Sequence, residues 1–249
     1  MSWHGKFVWY ELMARDLAAA GDFYGSVLGW DVVDAGMPGG GYSMFTKDGT
    51  NQGGLMSVMD GGPPPSWIGY VAVDDCDATA AEAERTGATI HRAPFSIPGV
   101  GKVAILGDPQ GALIAIIQPT PPEDNSGGSP PHAAWHDLRS TDGAAAWGFY
   151  APLFRWEERG TMHMGPGGLY RIFGAPGAPD MGGVMSATQP PVPAWIFYLP
   201  VPTVEGALER VRVAGGSVRQ EPHQVPGGAW VAACADPEGA HFSVFSQER

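Results

Sequence analysis

Phe7-Val-Trp-Tyr-Glu-Leu-Met-Ala-Arg-Asp16 returns further along the chain as Ala133-Ala-Trp-His-Asp-Leu-Arg-Ser-Thr-Asp142. Trp9, Glu11, Leu12 and Asp16 reappear as Trp135, Asp137, Leu138 and Asp142, each displaced by 126 positions, and Phe23-Tyr24 and Trp30 follow as Phe149-Tyr150 and Trp156. Trp67, Gly87, Pro94, Pro98 and Asp108-Pro-Gln-Gly-Ala112 then recur as Trp195, Gly215, Pro222, Pro226 and Asp236-Pro-Glu-Gly-Ala240, displaced by 128. One short insertion accounts for the change of offset. Solenoid units run about 20–50 residues, so a repeat of this length predicts two compact copies. A cleft is expected along the seam between them, and functional residues on the strands that face it.

Outward from that repeat, the copies are an N-terminal module over 1–120 and a C-terminal module over 132–249. Residues 121–131 form a linker: from Pro119 to Pro131 the chain has no apolar periodicity and is crowded with residues that break helices and strands. Phe7 to Ala14 alternates as a strand. Asp16 is placed to cap an amphipathic helix that closes at Gly29, and Phe23, Tyr24 and Val27 share its core-facing side. Short strands follow near 42–45 and 54–58, a longer one over 67–73, a helix over 77–86, and strands near 102–106 and 112–118. The second copy repeats this with strand 133–140, helix 142–154, strands near 169–173, 182–186 and 194–201, helix 203–214, and strands at 229–234 and 240–246. The fold class is α+β, in tandem strand-helix-strand-strand-strand modules whose helices cover one sheet face and leave the other open.

Composition narrows the partners. The 249 residues carry a formal net charge of −12 and no Lys/Arg cluster, so neither nucleic acid nor an anionic membrane is expected to bind. No apolar run approaches the roughly 20 residues that cross a bilayer, and the first strand starts too early to leave room for a signal peptide, so a cytoplasmic location is expected. Cys76 and Cys234 occupy non-equivalent places and form no CxxC, which fits two packed thiols rather than a disulfide or a zinc site.

With these motifs in order and repeated, the chain resembles the vicinal oxygen chelate superfamily, which includes glyoxalase I, extradiol dioxygenases and bleomycin resistance proteins. The resemblance rests on Asp16-Leu17, Phe23-Tyr24, Leu28-Gly29-Trp30, Trp67 to Asp75, Gly87-Ala88 and Asp108 to Ala112, with their second-copy equivalents. It implies paired βαβββ modules around a cleft that in many members holds a metal ion, and a homodimer is open to such a chain. The resemblance also implies where ligands stand: seven residues before the Asp that starts a module's helix, and seven after the Asp of the Asp-Pro-x-Gly turn. Those places hold Trp9, Trp135, Ala115 and Ser243. Indole and methyl groups are not ligands for a divalent cation and a neutral hydroxyl is a poor one, so no metal cofactor is expected.

Strand alternation puts Trp9, Glu11 and Met13 on the face of those positions, with Trp135, Asp137 and Arg139 in the second copy and His241, Ser243 and Phe245 on the last strand. Trp9, Trp135, Arg139, His241, Ser243 and, at the rim, His223 are the candidate ligand-binding residues; Glu11 and Asp137 are the candidate catalytic carboxylates. Four uses of this set compete. A binding or resistance protein would stack a small aromatic or amphipathic molecule on the indoles. A metal-dependent lyase or dioxygenase would need ligands displaced to Glu11, Asp137 and His241. A metal-free enzyme would use a carboxylate desolvated among indoles as acid or base. A purely structural use would let the indoles fill the metal's space, with Arg139 paired to Glu11 or Asp137. His136 is expected in the helix-packed core, His163 in a solvated loop, His91 near the rim, and Tyr42, Tyr170, Trp67 and Trp195 as packing residues. The Gly-rich runs 36–41 and 165–168 read as hairpin connections.

Overall fold

The computed structural model describes residues 3–36, 41–58, 62–120, 133–165, 168–186 and 193–249; the linker 121–131 and much of both Gly-rich runs lie outside them. The first copy runs β1 (Phe7–Ala14), α1 (Leu17–Leu28), β2 (Asp31–Asp34), β3 (Tyr42–Lys47), β4 (Thr50–Ser57), β5 (Ser66–Ala72), α2 (Cys76–Arg85), β6 (Thr89–Ile97), β7 (Gly101–Gly107) and β8 (Leu113–Pro119). The second runs β9 (Trp135–Ser140), α3 (Gly143–Phe154), β10 (Glu157–His163), β11 (Leu169–Gly174), β12 (Gly182–Ser186), β13 (Ala194–Pro200), α4 (Val204–Val213), β14 (Ser217–Gln224), β15 (Trp230–Ala235) and β16 (His241–Ser246). Each copy thus holds the βαβββ order twice. Hydrogen-bonded neighbours run β2-β3-β4-β1 and β5-β8-β7-β6 in the first copy, β10-β11-β12-β9 and β13-β16-β15-β14 in the second.

Sequence periodicity misses β2, β6, β10 and β14, the outermost strand of each run. β2 is exposed along its whole length, and β6 and β14 carry Pro94 and Pro222, so none shows the half-buried alternation of an inner strand. His163 accordingly ends a strand, β10, and does not lie in a loop.

The helices follow their local signals. Asp16 accepts from Ala19 N at 3.0 Å and Gly29 closes α1 at φ 70°. At the equivalent end of α3 the left-handed residue is Arg155, at φ 55°, whose guanidinium reaches Asp74 at 3.0 Å.

The compact units cut across the copies. One unit, called here the Glu11 unit, gathers described residues from 9–68, 133–134 and 196–249; the other, the Asp137 unit, gathers those from 3–8, 69–120 and 135–195. In the Glu11 unit the Tyr24 hydroxyl receives the Trp67 indole N–H at 2.8 Å and donates to Asp236 at 3.2 Å, with the Phe45 and Phe242 rings packed at 5.6 and 5.5 Å. Arg210 Nε of α4 bonds Val27 O at the end of α1 at 3.1 Å, so these two helices are neighbours. In the Asp137 unit Tyr150 takes the same place and receives the Trp195 indole N–H at 3.2 Å, while the Trp156 indole donates to Gly5 O at 2.7 Å. Each unit therefore has a helix-covered aromatic core built from both copies.

Candidate functional site

In the Glu11 unit, Leu12 pairs with Leu55 and both are fully buried on the α1 side together with Phe45. Trp9, Glu11 and Met13 consequently take the opposite, helix-free face. Register adds Gly54 opposite Glu11, Met56 opposite Met13, and Tyr42 beside Met56. In the second-copy half of the same unit Phe242 packs against Tyr24, which leaves His241, Ser243 and Phe245 on the helix-free face, with Tyr198 paired to Ser243. Because α1 and α4 are neighbours, the faces they leave open lie on the same side of this unit.

The Asp137 unit repeats the arrangement. Leu138 pairs with Val184 in the core, and Trp135, Asp137 and Arg139 face away with Gly183, Met185 and Tyr170. Ile114 and Ile116 are buried in the core, so Leu113, Ala115 and Ile117 take the helix-free face, with Tyr70 paired to Ala115.

At the centre of each face is one hydrogen-bonded set. The Trp9 indole donates to the Tyr42 hydroxyl at 3.1 Å, and that hydroxyl donates to Glu11 Oε1 at 2.7 Å. The Trp135 indole donates to the Tyr170 hydroxyl at 2.6 Å and to Asp137 Oδ1 at 3.1 Å, and Tyr170 donates to the same oxygen at 2.7 Å. Both carboxylates are deeply buried, at 7% and 5% exposure, whereas the two indoles are half-buried. A carboxylate sunk this far from water needs donors; Tyr42 supplies one to Glu11, and Tyr170 and the Trp135 indole supply them to Asp137. Burial, and secondarily the adjacent Glu11 charge, push the Tyr42 hydroxyl well above its ordinary range, so it remains a phenol that donates.

The glycines opposite the carboxylates make room for this. A Cβ on Gly54 would stand 2.3 Å from the Tyr42 hydroxyl, and one on Gly183 would stand 1.9 Å from the Tyr170 ring. Tyr42 and Tyr170, expected as packing residues, are thus the partners of the two carboxylates. Their signal in the sequence is that both recur at the 128-residue offset, as the carboxylates do at 126.

The remaining candidates separate. His136 is buried, stacks on Phe7 at 4.2 Å between ring centres, and bonds Met181 O; burial holds its imidazole down at about 4, so it is a neutral core residue. His223 and His91 are exposed on β14 and β6. Cys76 and Cys234 are buried free thiols, pushed up to about 11 and about 12 by burial. Glu11 and His241 belong to one unit and Asp137 to the other. Among the described residues no three His, Cys, Asp or Glu side chains are grouped to hold a metal ion. The positions at which the resemblance implies metal ligands are Trp9 and Ser243 in one unit and Trp135 and Ala115 in the other, side chains that do not fit a divalent cation.

A family model described as Glyoxalase/Bleomycin resistance protein/Dioxygenase superfamily matches residues 6–116. A Mycobacterium tuberculosis protein named as a glyoxylase, CFP32, is 32% identical over 246 residues, covering 95% of this chain and 92% of its own length. The chain belongs to the glyoxalase/bleomycin resistance/dioxygenase superfamily. It is also 29% identical over 259 residues to the anthracycline biosynthesis protein DauV of Streptomyces sp. strain C5, covering 96% of this chain and 92% of that protein. Its fold matches the Mn(II)-bound glyoxalase of Novosphingobium aromaticivorans with a TM-score of 0.67 at 17% identity, over 100% of this chain and 84% of that one. The superfamily fold is therefore present.

Proposed function

We propose that the chain binds a small planar aromatic or amphipathic molecule on the helix-free faces of its units, without the superfamily's usual metal centre. The observation that carries this is the Trp-Tyr-carboxylate set, built twice with a glycine opposite each carboxylate. Trp9 and Trp135 offer half-buried ring area, while one acidic group fixes orientation; apolar walls with few convergent polar groups are how small-molecule sites are made. The likeness to an anthracycline biosynthesis protein points to the same ligand class, fused aromatic rings. Titration with an anthracycline should quench indole fluorescence saturably. The combined Trp9→Ala and Trp135→Ala variant should lose the quench while keeping its circular dichroism. A wild-type signal that does not respond, or a folded double variant that still binds equally, rejects the proposal.

A second proposal, a metal-free acid–base enzyme, is favoured by the Tyr42 proton donated to Glu11, a pair suited to moving a proton at a bound ligand. It requires turnover that Tyr42→Phe and Glu11→Gln both abolish while the ligand still binds.

A further inference from the structure

On the Asp137 face, β9 sets Trp135, Asp137 and Arg139 in a row two residues apart, and the position equivalent to Arg139 in the Glu11 unit holds Met13. The guanidinium is a feature of one unit. Arg139 is half-buried, and among the described residues its side chain meets no carboxylate, carbonyl or aromatic ring. The other described cations of this unit are all engaged, by carboxylates as Arg155 is by Asp74 at 3.0 Å, or by rings as Arg92 is by Phe95 at 3.5 Å. A cation partly withdrawn from water ordinarily has such a partner. The same face carries Leu113, Ala115 and Ile117, apolar side chains that strengthen a charge pair made beside them.

We propose that the Asp137 face takes a planar aromatic ligand carrying a carboxylate, with the ring system against Trp135 and the carboxylate on Arg139. From Trp135 to Arg139 the strand rises about 13 Å, which suits a fused three-ring skeleton with its acidic substituent on an end ring. Asp137 lies between the two, and the bonds it accepts from Tyr170 and the Trp135 indole draw on its charge, so the anionic end of the ligand is attracted to the guanidinium beyond it. The guanidinium offers a planar fork of donors that matches a carboxylate with two parallel bonds. Met13 offers a thioether and no donor, so this recognition belongs to the Asp137 unit. The inference rests on the aromatic-binding proposal above and adds the ligand's charge and the unit that takes it.

The test uses two probes with one ring system, anthraquinone-2-carboxylate and the neutral 2-(hydroxymethyl)anthraquinone, titrated calorimetrically into the full chain at about pH 7.5, where an ordinary carboxyl group is ionised. The carboxylate probe is expected to bind about ten-fold more tightly, at one tight site per chain, as a charge-assisted pair exceeds a neutral one. Arg139→Met, which installs the counterpart residue, should bring the two probes to equal affinity. Arg139→Lys should keep a reduced preference, because an ammonium has the charge without the fork. Trp135→Ala should remove the tight site, with circular dichroism confirming that each variant is folded. Equal affinities in the wild-type chain, a preference that survives Arg139→Met, or a tight carboxylate site that survives Trp135→Ala overturns the charge inference and leaves aromatic binding standing. If neither probe binds, both proposals fall.

Discussion

The Glu11 and Asp137 units show which parts of a duplicated site tolerate change. The indole, the phenol, the carboxylate and the glycine opposite it are kept in both, because each occupies space or bonding capacity that the others need. The neighbours on the same face differ: Met13 against Arg139, His241 against Leu113, Ser243 against Ala115. The core strand differs as well, with Tyr10 in one unit replaced by His136 in the other. The buried centre behaves as a packing unit, while its surroundings differ in polarity and charge.

Four sets of substitutions probe that comparison. The largest difference is expected at equivalent glycines. A Cβ on Gly182 would fall 2.0 Å from the His136 carbonyl oxygen, whereas one on Gly53 would fall 3.0 Å from that of Tyr10. Backbone cannot move aside as a side chain can, so Gly182→Ala should cost about 3–4 kcal/mol in urea unfolding and Gly53→Ala about 1 kcal/mol. Equal costs would contradict the asymmetry.

Acid should act on the Asp137 unit. His136 is held at about 4 in the folded chain against 6.5 for an ordinary imidazole, so as pH falls below 6.5 the unfolded chain gains a proton that the folded chain refuses. Stability should fall between pH 6.5 and 4 by up to about 3 kcal/mol and level off below that. His136→Tyr, which installs the counterpart Tyr10, should flatten this part of the profile; an unchanged slope would assign the acid sensitivity elsewhere.

Removing the phenols should have smaller, unequal effects. Tyr42→Phe takes away the donor to Glu11 and the acceptor of the Trp9 indole, and should cost about 2 kcal/mol; Tyr170→Phe should cost about 1 kcal/mol, because the Trp135 indole still bonds Asp137. Matching losses in thermal unfolding would show that the extra indole bond carries no weight. The smallest difference is at the helix ends, where a left-handed residue with a side chain costs about 1 kcal/mol. Arg155→Gly should relieve that cost and lose only an exposed ion pair, for a net gain of about 0.5 kcal/mol, while Gly29→Ala should lose about 1 kcal/mol.

Much of this was legible in the residues. The 126- and 128-residue offsets identify the duplication, Asp16 and Gly29 bound α1, and strand alternation alone puts Trp9 and Glu11 on the face opposite Leu12. The outer strands were not legible because β2 has no buried residue and β6 and β14 contain proline, so periodicity has nothing to register. The pairing of Tyr42 with Glu11 was not legible either: it depends on the β3–β4–β1 register, which brings residues 31 positions apart to 2.7 Å. Nor does a repeat reveal that each compact unit takes half of both copies, since that depends on contacts such as Tyr24 with Asp236, 212 positions apart.

The central claim is that indoles and phenol-held carboxylates replace a metal centre as the means of gripping an aromatic ligand. It is tested most directly by titrating the chain with an anthracycline, following indole fluorescence, once after exhaustive chelation and once with added manganese. The account predicts the same saturable quench in both. A quench that appears only with the metal would contradict it.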